Sequence, residues 1–195
     1  MNLIELTTPA SGDIPVSELA EHLRLGTGFA DDGAQDTLLE AFLRAAIANI
    51  EGRTGKVLLT RQLAWDVTRW IETDCQGLPV APVQGIDSVV LVKADGTETA
   101  VGGQDYFLRA DEMRPKLAAQ GSLPSIPGYG VARITFQAGF GDWAAVPADL
   151  KQAVLMLSAY YYENRHNAGD DGSMPFGVLS LIDRYRTVRL MGDRL

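Results

Sequence analysis

Asp36-Thr37-Leu38-Leu39-Glu40-Ala41-Phe42-Leu43-Arg44-Ala45-Ala46-Ile47-Ala48-Asn49-Ile50-Glu51 carries its apolar residues at steps of three and four: Leu38, Leu39, Phe42, Leu43, Ala46, Ile47 and Ile50. That spacing lines one face of an α-helix and must be buried against another element. Gly52 and Gly55 follow and are expected to end the helix. A second helix is expected on the N-terminal side, from Ile14 to Gly26, with Ser17 accepting a bond from an unpaired amide and Glu18 and Glu21 suiting the positive end. An acidic loop at Asp31-Asp32-Gly33 joins the two.

Beyond the helix the period changes from helical to two. Leu63, Trp65 and Val67 alternate with Gln62, Ala64 and Asp66, and Ser88-Val89-Val90-Leu91-Val92-Lys93 is β-branched. Ala94-Asp95-Gly96-Thr97 is expected to close a two-residue hairpin. Tyr106-Phe107-Leu108-Arg109 and Val131 to Gln137 read as further strands, and Leu123 to Gly130 as loop. Helix returns after Pro147, with Leu150, Ala153, Val154, Leu157 and Tyr161 on one stripe, and Trp143, just before it, is expected to pack where the sheet meets the bundle. A polar loop from Asn167 to Ser173 precedes a last short helix opened by Pro175, with Leu179, Ile182 and Tyr185 inward. The order helices, sheet, helices predicts an α+β fold. The terminal segments, 1–56 and 142–195, pack as one helical bundle, and residues 57–141 form a small, mainly antiparallel β insertion within one structural unit.

The charge narrows the function. With 17 Lys and Arg against 25 Asp and Glu, the chain carries −8 and a pI near 4.7. Phosphate counterion release, the main source of nucleic-acid affinity, favours basic surfaces, and anionic membranes are disfavoured likewise. The basic exception is small: Arg184, Arg186, Arg189 and Arg194. A single cysteine, Cys75, excludes an intramolecular disulfide and a multi-cysteine zinc site. The N-terminus lacks a basic leader with a long apolar core, and no apolar run approaches a membrane span. A chain of this length buries roughly 70% of its unfolded surface and needs no metal to fold.

No stretch assembles a reactive centre. His22 and His166 have no neighbouring ligand in sequence. Gly52-Arg53-Thr54-Gly55-Lys56 has Ile50 where a phosphate-binding loop needs glycine, and it follows a helix instead of a strand. Asp31-Asp32-Gly33 and Asp170-Asp171-Gly172 lack the alternating ligands and distant glutamate of a calcium loop. Ser158 and Ser180 lie on helices without a glycine-flanked nucleophile turn. Cys75 sits in an acidic turn with Glu72 and Asp74, which raise a thiol's pKa. The expectation is no enzyme, no cofactor and no metal. Tyr160-Tyr161-Tyr162 must instead turn one or two rings outward, where aromatics favour protein contacts.

Three stretches in this order resemble the phage head–tail connector (adaptor) family, also found in phage-derived gene transfer agents. They are Asp36 to Lys56 with its Glu-Gly-Arg-Thr-Gly run; Leu78-Pro79-Val80-Ala81-Pro82 leading to Val89; and Ile134 to Gly141 followed by Val146 to Ala153 and Tyr162-Glu163-Asn164-Arg165. The likeness spans most of residues 15 to 190 and leaves out Met1 to Gly12. It implies a virion structural protein: a ring of about twelve copies in the neck of a phage-like particle, assembled in the bacterial cytoplasm. The implied partners are the portal protein, neighbouring adaptor subunits, and a stopper or other tail protein. DNA passes through without specific binding, during packaging and ejection, and an acidic wall lets it slide. Tyr160, Tyr162, Arg184, Arg186, Val188, Arg189 and Leu190 are the expected partner contacts. A stopper or tail terminator is the first alternative, and a nucleic-acid-binding protein the second.

Overall fold

The computed structural model describes residues 2–25, 35–165 and 174–186. Within them the fold is α+β, with four α-helices and two antiparallel sheets. The chain divides into two compact units, one of Met1–Pro9 with Val57–Asp142 and one of Ala10–Lys56 with Trp143–Leu195. Residues 2–9 therefore group with the strands, although the segment expected to supply the N-terminal helices spans 1–56. No helix among the described residues is long and apolar enough to cross a membrane.

The helical unit contains α1 (Val16–His22), α2 (Asp36–Thr54), α3 (Ala148–Glu163) and α4 (Phe176–Ile182). Helix α2 packs on α1 and α3, and α3 packs on α4. Leu39, Leu43, Ala46, Ile47 and Ile50 are buried along α2, as the periodicity requires, whereas Leu38 at the first turn is exposed. Leu19, Leu150, Ala153, Val154, Leu157, Val178 and Ile182 complete the apolar interior. Two helix ends differ from expectation. Ser17 is no cap, because Pro15, lacking an amide proton, precedes the first helical residue, Val16. Gly52 stays helical, and Gly55 alone stops α2, with φ +68° and its N–H bonded to the Glu51 carbonyl at 2.8 Å.

The β unit has a five-stranded sheet in the order β1-β2-β8-β4-β5 and a three-stranded sheet in the order β3-β7-β6. The strands are β1 (Asn2–Glu5), β2 (Arg61–Val67), β3 (Cys75–Gly77), β4 (Val83–Val92), β5 (Glu98–Ala100), β6 (Tyr106–Arg109), β7 (Lys116–Ala119) and β8 (Val131–Ala138). Leu63 faces Phe136, Trp65 faces Ile134 and Val67 faces Ala132 across β2 and β8, so period-two alternation in two strands meets on one buried face. Leu78, Val83, Val89, Leu117 and Leu123 fill in against them. The opposite face is polar, with Arg133 bidentate to Asp66 at 2.9 and 3.1 Å.

The β4–β5 turn is one residue longer than expected. The Lys93 N–H bonds to the Thr97 carbonyl at 2.9 Å and encloses three residues, of which Gly96 has φ +84°. A two-residue Asp-Gly turn needs positive φ at both positions; Asp95 instead keeps negative φ and caps the Thr97 N–H with its carboxylate.

Candidate interface residues

The tyrosine run closes the C-terminal end of α3. Tyr161 accepts a hydrogen bond from the Asn49 side-chain amide of α2 at 3.0 Å. Tyr162 meets Phe42 edge-on with ring centroids 6.2 Å apart, and the Arg165 guanidinium lies over its other side at 4.4 Å. Tyr160 is half-buried and tilted against Tyr161. All three rings thus touch their own subunit while keeping part of their surface open, Tyr162 between an aromatic and a cation. Helical rotation of about 100° per residue is the reason: three consecutive rings cannot all face one side.

The other expected contacts sit after α4. Arg184 pairs with Asp149 at 2.9 Å, Tyr185 donates its hydroxyl to the other oxygen of Asp149 at 2.7 Å, and the Arg184 guanidinium also donates to the Tyr185 hydroxyl. Asp149 lies in the first turn of α3, where a carboxylate suits the helix dipole. Burial raises the pKa of Tyr185, opposed by Arg184. Arg184 and Tyr185 therefore fasten the end of the chain to the start of α3. Arg186 is exposed and pairs with Asp183 at 3.4 Å. Val188, Arg189 and Leu190 lie outside the described residues, as do Gly26, both Asp-Asp-Gly loops and His166.

Trp143 belongs to the helical unit, just before α3. It is 9% exposed, and its indole N–H donates to Glu18 of α1 at 2.9 Å. Cys75 is buried and donates its S–H to Glu72 at 2.8 Å, with Lys116 Nζ 3.7 Å away. The Glu72 hydrogen bond, and then burial, push the thiol's pKa up. Glu72, Asp74 and Cys75 bring ligand atoms within 4.8 Å of one another, but a thiol held protonated by its own carboxylate neighbour is a poor metal ligand.

No family model and no curated protein sequence matches the chain. Solved structures do, among them three in which both chains are fully covered. A chain from the neck of an empty gene transfer agent (GTA) particle computed with C6 symmetry is 50% identical, with a TM-score of 0.90. One from the virion of a native GTA particle is 49% identical (TM-score 0.88), and one from the neck of a native GTA particle computed with C12 symmetry is 44% identical (TM-score 0.85). The protein belongs to the phage-derived neck (connector) family.

The ends of the stretches quoted for the likeness hold the chain where it turns. At the end of α2, Thr54 Oγ1 donates to the Ile50 carbonyl and accepts from the Lys56 N–H, at 2.8 and 3.1 Å, so the Thr-Gly pair is a helix stop. The proline-bracketed segment puts the Ala81 carbonyl 2.9 Å from the Val57 N–H just before β4. After β8, Gly139 has φ +136°, and a Cβ there would stand 2.5 Å from the Thr60 backbone. Only glycine allows that approach. In this neck protein these residues set the path of the chain. Sequence reading gives no sign that the ring of Tyr129 is fully exposed; it sits in a loop with Pro-Gly before it and Gly after.

Proposed function

We propose that the chain is the head–tail adaptor of a tailed-phage-like particle: one subunit of a twelve-fold ring between portal and tail, which lines the DNA conduit and catalyses nothing. The observation that carries this reading is full-length likeness, at 44% to 50% identity, to chains of a GTA neck, one computed with C12 symmetry. The adaptor is preferred to a stopper or tail terminator because α2 and α3, of 19 and 16 residues, give the chain a substantial helical unit. The helices of the two chain ends act as one bundle, and the β unit is its insertion. The net charge of −8 suits a wall along which DNA slides.

Portal and neighbouring subunits are reached through the outer faces of Tyr160 and Tyr162 and through the chain end, with Arg186, Val188, Arg189 and Leu190. Arg184 serves the same region from its hold on Asp149. The test follows from that geometry. A stop after Arg186 keeps the Arg184–Asp149–Tyr185 cluster and removes the tail. The shortened protein is expected to melt like the full chain and to be absent from purified particles. Normal incorporation would rule out the tail contact, and failure of the full chain to bind portal rings in a sizing experiment would rule out the adaptor.

A further inference from the structure

The segment between Lys116 and Arg133 is the longest stretch of the chain without a charged residue, 16 residues from Leu117 to Ala132. It ends in the loop Leu123-Pro124-Ser125-Ile126-Pro127-Gly128-Tyr129-Gly130. This loop is held at several points. The Leu123 N–H bonds to the Thr73 carbonyl at 2.8 Å, the Trp70 indole N–H donates to the Pro124 carbonyl at 2.7 Å, and Leu123 is buried. At the other end a Cβ on Gly130 would stand 2.3 Å from the Val92 carbonyl oxygen, so the turn is seated directly on the end of β4.

The tip is a turn closed by the Gly130 N–H on the Pro127 carbonyl at 2.9 Å. Its third residue, Tyr129, has φ +58°, whereas Gly128 before it has negative φ. That is the position where a type II turn favours glycine or asparagine. A tyrosine there costs about 1–2 kcal/mol of backbone energy. Its ring returns nothing to its own subunit, for Tyr129 is 102% exposed relative to the reference state. A strained backbone, a fixed turn and a fully presented aromatic belong together when the ring is completed by something outside the subunit.

We propose that Tyr129 is an anchor by which one copy of this chain docks on the next copy in the ring, an inference that rests on the adaptor reading above. Two copies that each carry −8 repel, and they meet most cheaply through surface without charge. The loop offers that surface. A head-to-tail ring also needs each subunit to present a projecting patch to a different patch on its neighbour, which a single projecting ring supplies. DNA is the poorer occupant: the loop itself has no Lys or Arg to hold phosphates beside a stacked base, and Lys93, just after β4 and beside Gly130, shares its turn with Asp95.

Tyr129→Gly and Tyr129→Asn fit the turn better and remove the ring. Full-length wild type and both variants are titrated onto portal rings and counted by native mass spectrometry, with melting curves run in parallel. The variants are expected to melt no lower than wild type, and to need about tenfold or more protein to close the ring. Variants that close rings at the wild-type concentration overturn the anchor and leave the adaptor reading intact. A melting point several degrees lower in both variants overturns it too, by making the ring part of its own subunit's core. Unchanged assembly with altered DNA retention assigns Tyr129 to DNA, against this proposal. Wild type that never binds portal overturns both readings.

Discussion

The two units bury similar residues by different means. In the helical unit the apolar stripe of α2 is written within a single stretch of 19 residues, which brings Leu39, Leu43, Ala46 and Ile50 to one buried face, and α2 packs on α1 and α3. In the β unit no strand is complete alone. Trp65 is buried because Ile134, 69 positions away (134 − 65), faces it, and β1 adds to the same sheet from the opposite end of the chain. Packing in one unit is local and tolerant of small shifts along a helix. In the other it depends on register and on glycines that allow backbones to touch. The helical unit should therefore be broken by the wrong polarity, and the β unit by the wrong shape.

Polarity gives the largest effect. Leu43→Asp places a charge in the buried stripe of α2 and should cost about 4 kcal/mol or more, measured by denaturant unfolding. A variant that unfolds at the wild-type midpoint would mean the stripe is misassigned. Trp143→Ala removes a buried indole and its bond to Glu18, and should cost about 3 kcal/mol. A change near zero would mean that the ring is valued for contacts outside the subunit.

Shape comes next. Gly139→Ala adds only a methyl group, yet that group meets the Thr60 backbone at 2.5 Å in a conformation that L side chains rarely adopt. The expected loss is about 2 kcal/mol. Gly52→Ala is its control: nothing lies within 4 Å of a Cβ there and the residue is helical, so the same methyl should stabilise by a few tenths up to about 1 kcal/mol. If the two substitutions act alike, glycine shape is not what sets the chain path after β8.

The smallest effect concerns titration. The Glu72 carboxylate keeps Cys75 protonated, so Glu72→Gln should lower the pH at which a small alkylating reagent begins to react. The sign for stability is also fixed. A thiol whose pKa is raised by folding contributes its full stabilisation below the ordinary thiol value, and this is lost as pH rises through the raised one. Glu72 itself is lowered, first by the Cys75 bond and then by Lys116, so its contribution is present above the ordinary carboxylate value and fades as pH falls.

What could be read beforehand follows the same division. The faces of α2 and α3, the strands at Arg61–Val67 and Val131–Ala138, and the stop near Gly55 are local patterns and were legible. The split into two sheets, the placing of Asn2–Glu5 and the three-residue β4–β5 turn were not, because each depends on a partner strand far along the chain or on the φ of one residue. Among the expected contacts, the hold of Arg184 on Asp149 joins residues 35 positions apart (184 − 149) and has no sequence signal. Tyr129 has one for its turn: a bulky residue between two glycines.

The central claim is that this chain works as a repeated structural subunit of a particle neck. Electron cryomicroscopy of purified particles, with the neck reconstructed without imposed symmetry, tests it most directly. The account predicts twelve copies of this fold between portal and tail, around an open channel. A neck resolved to side chains that contains no copy of this polypeptide would contradict it.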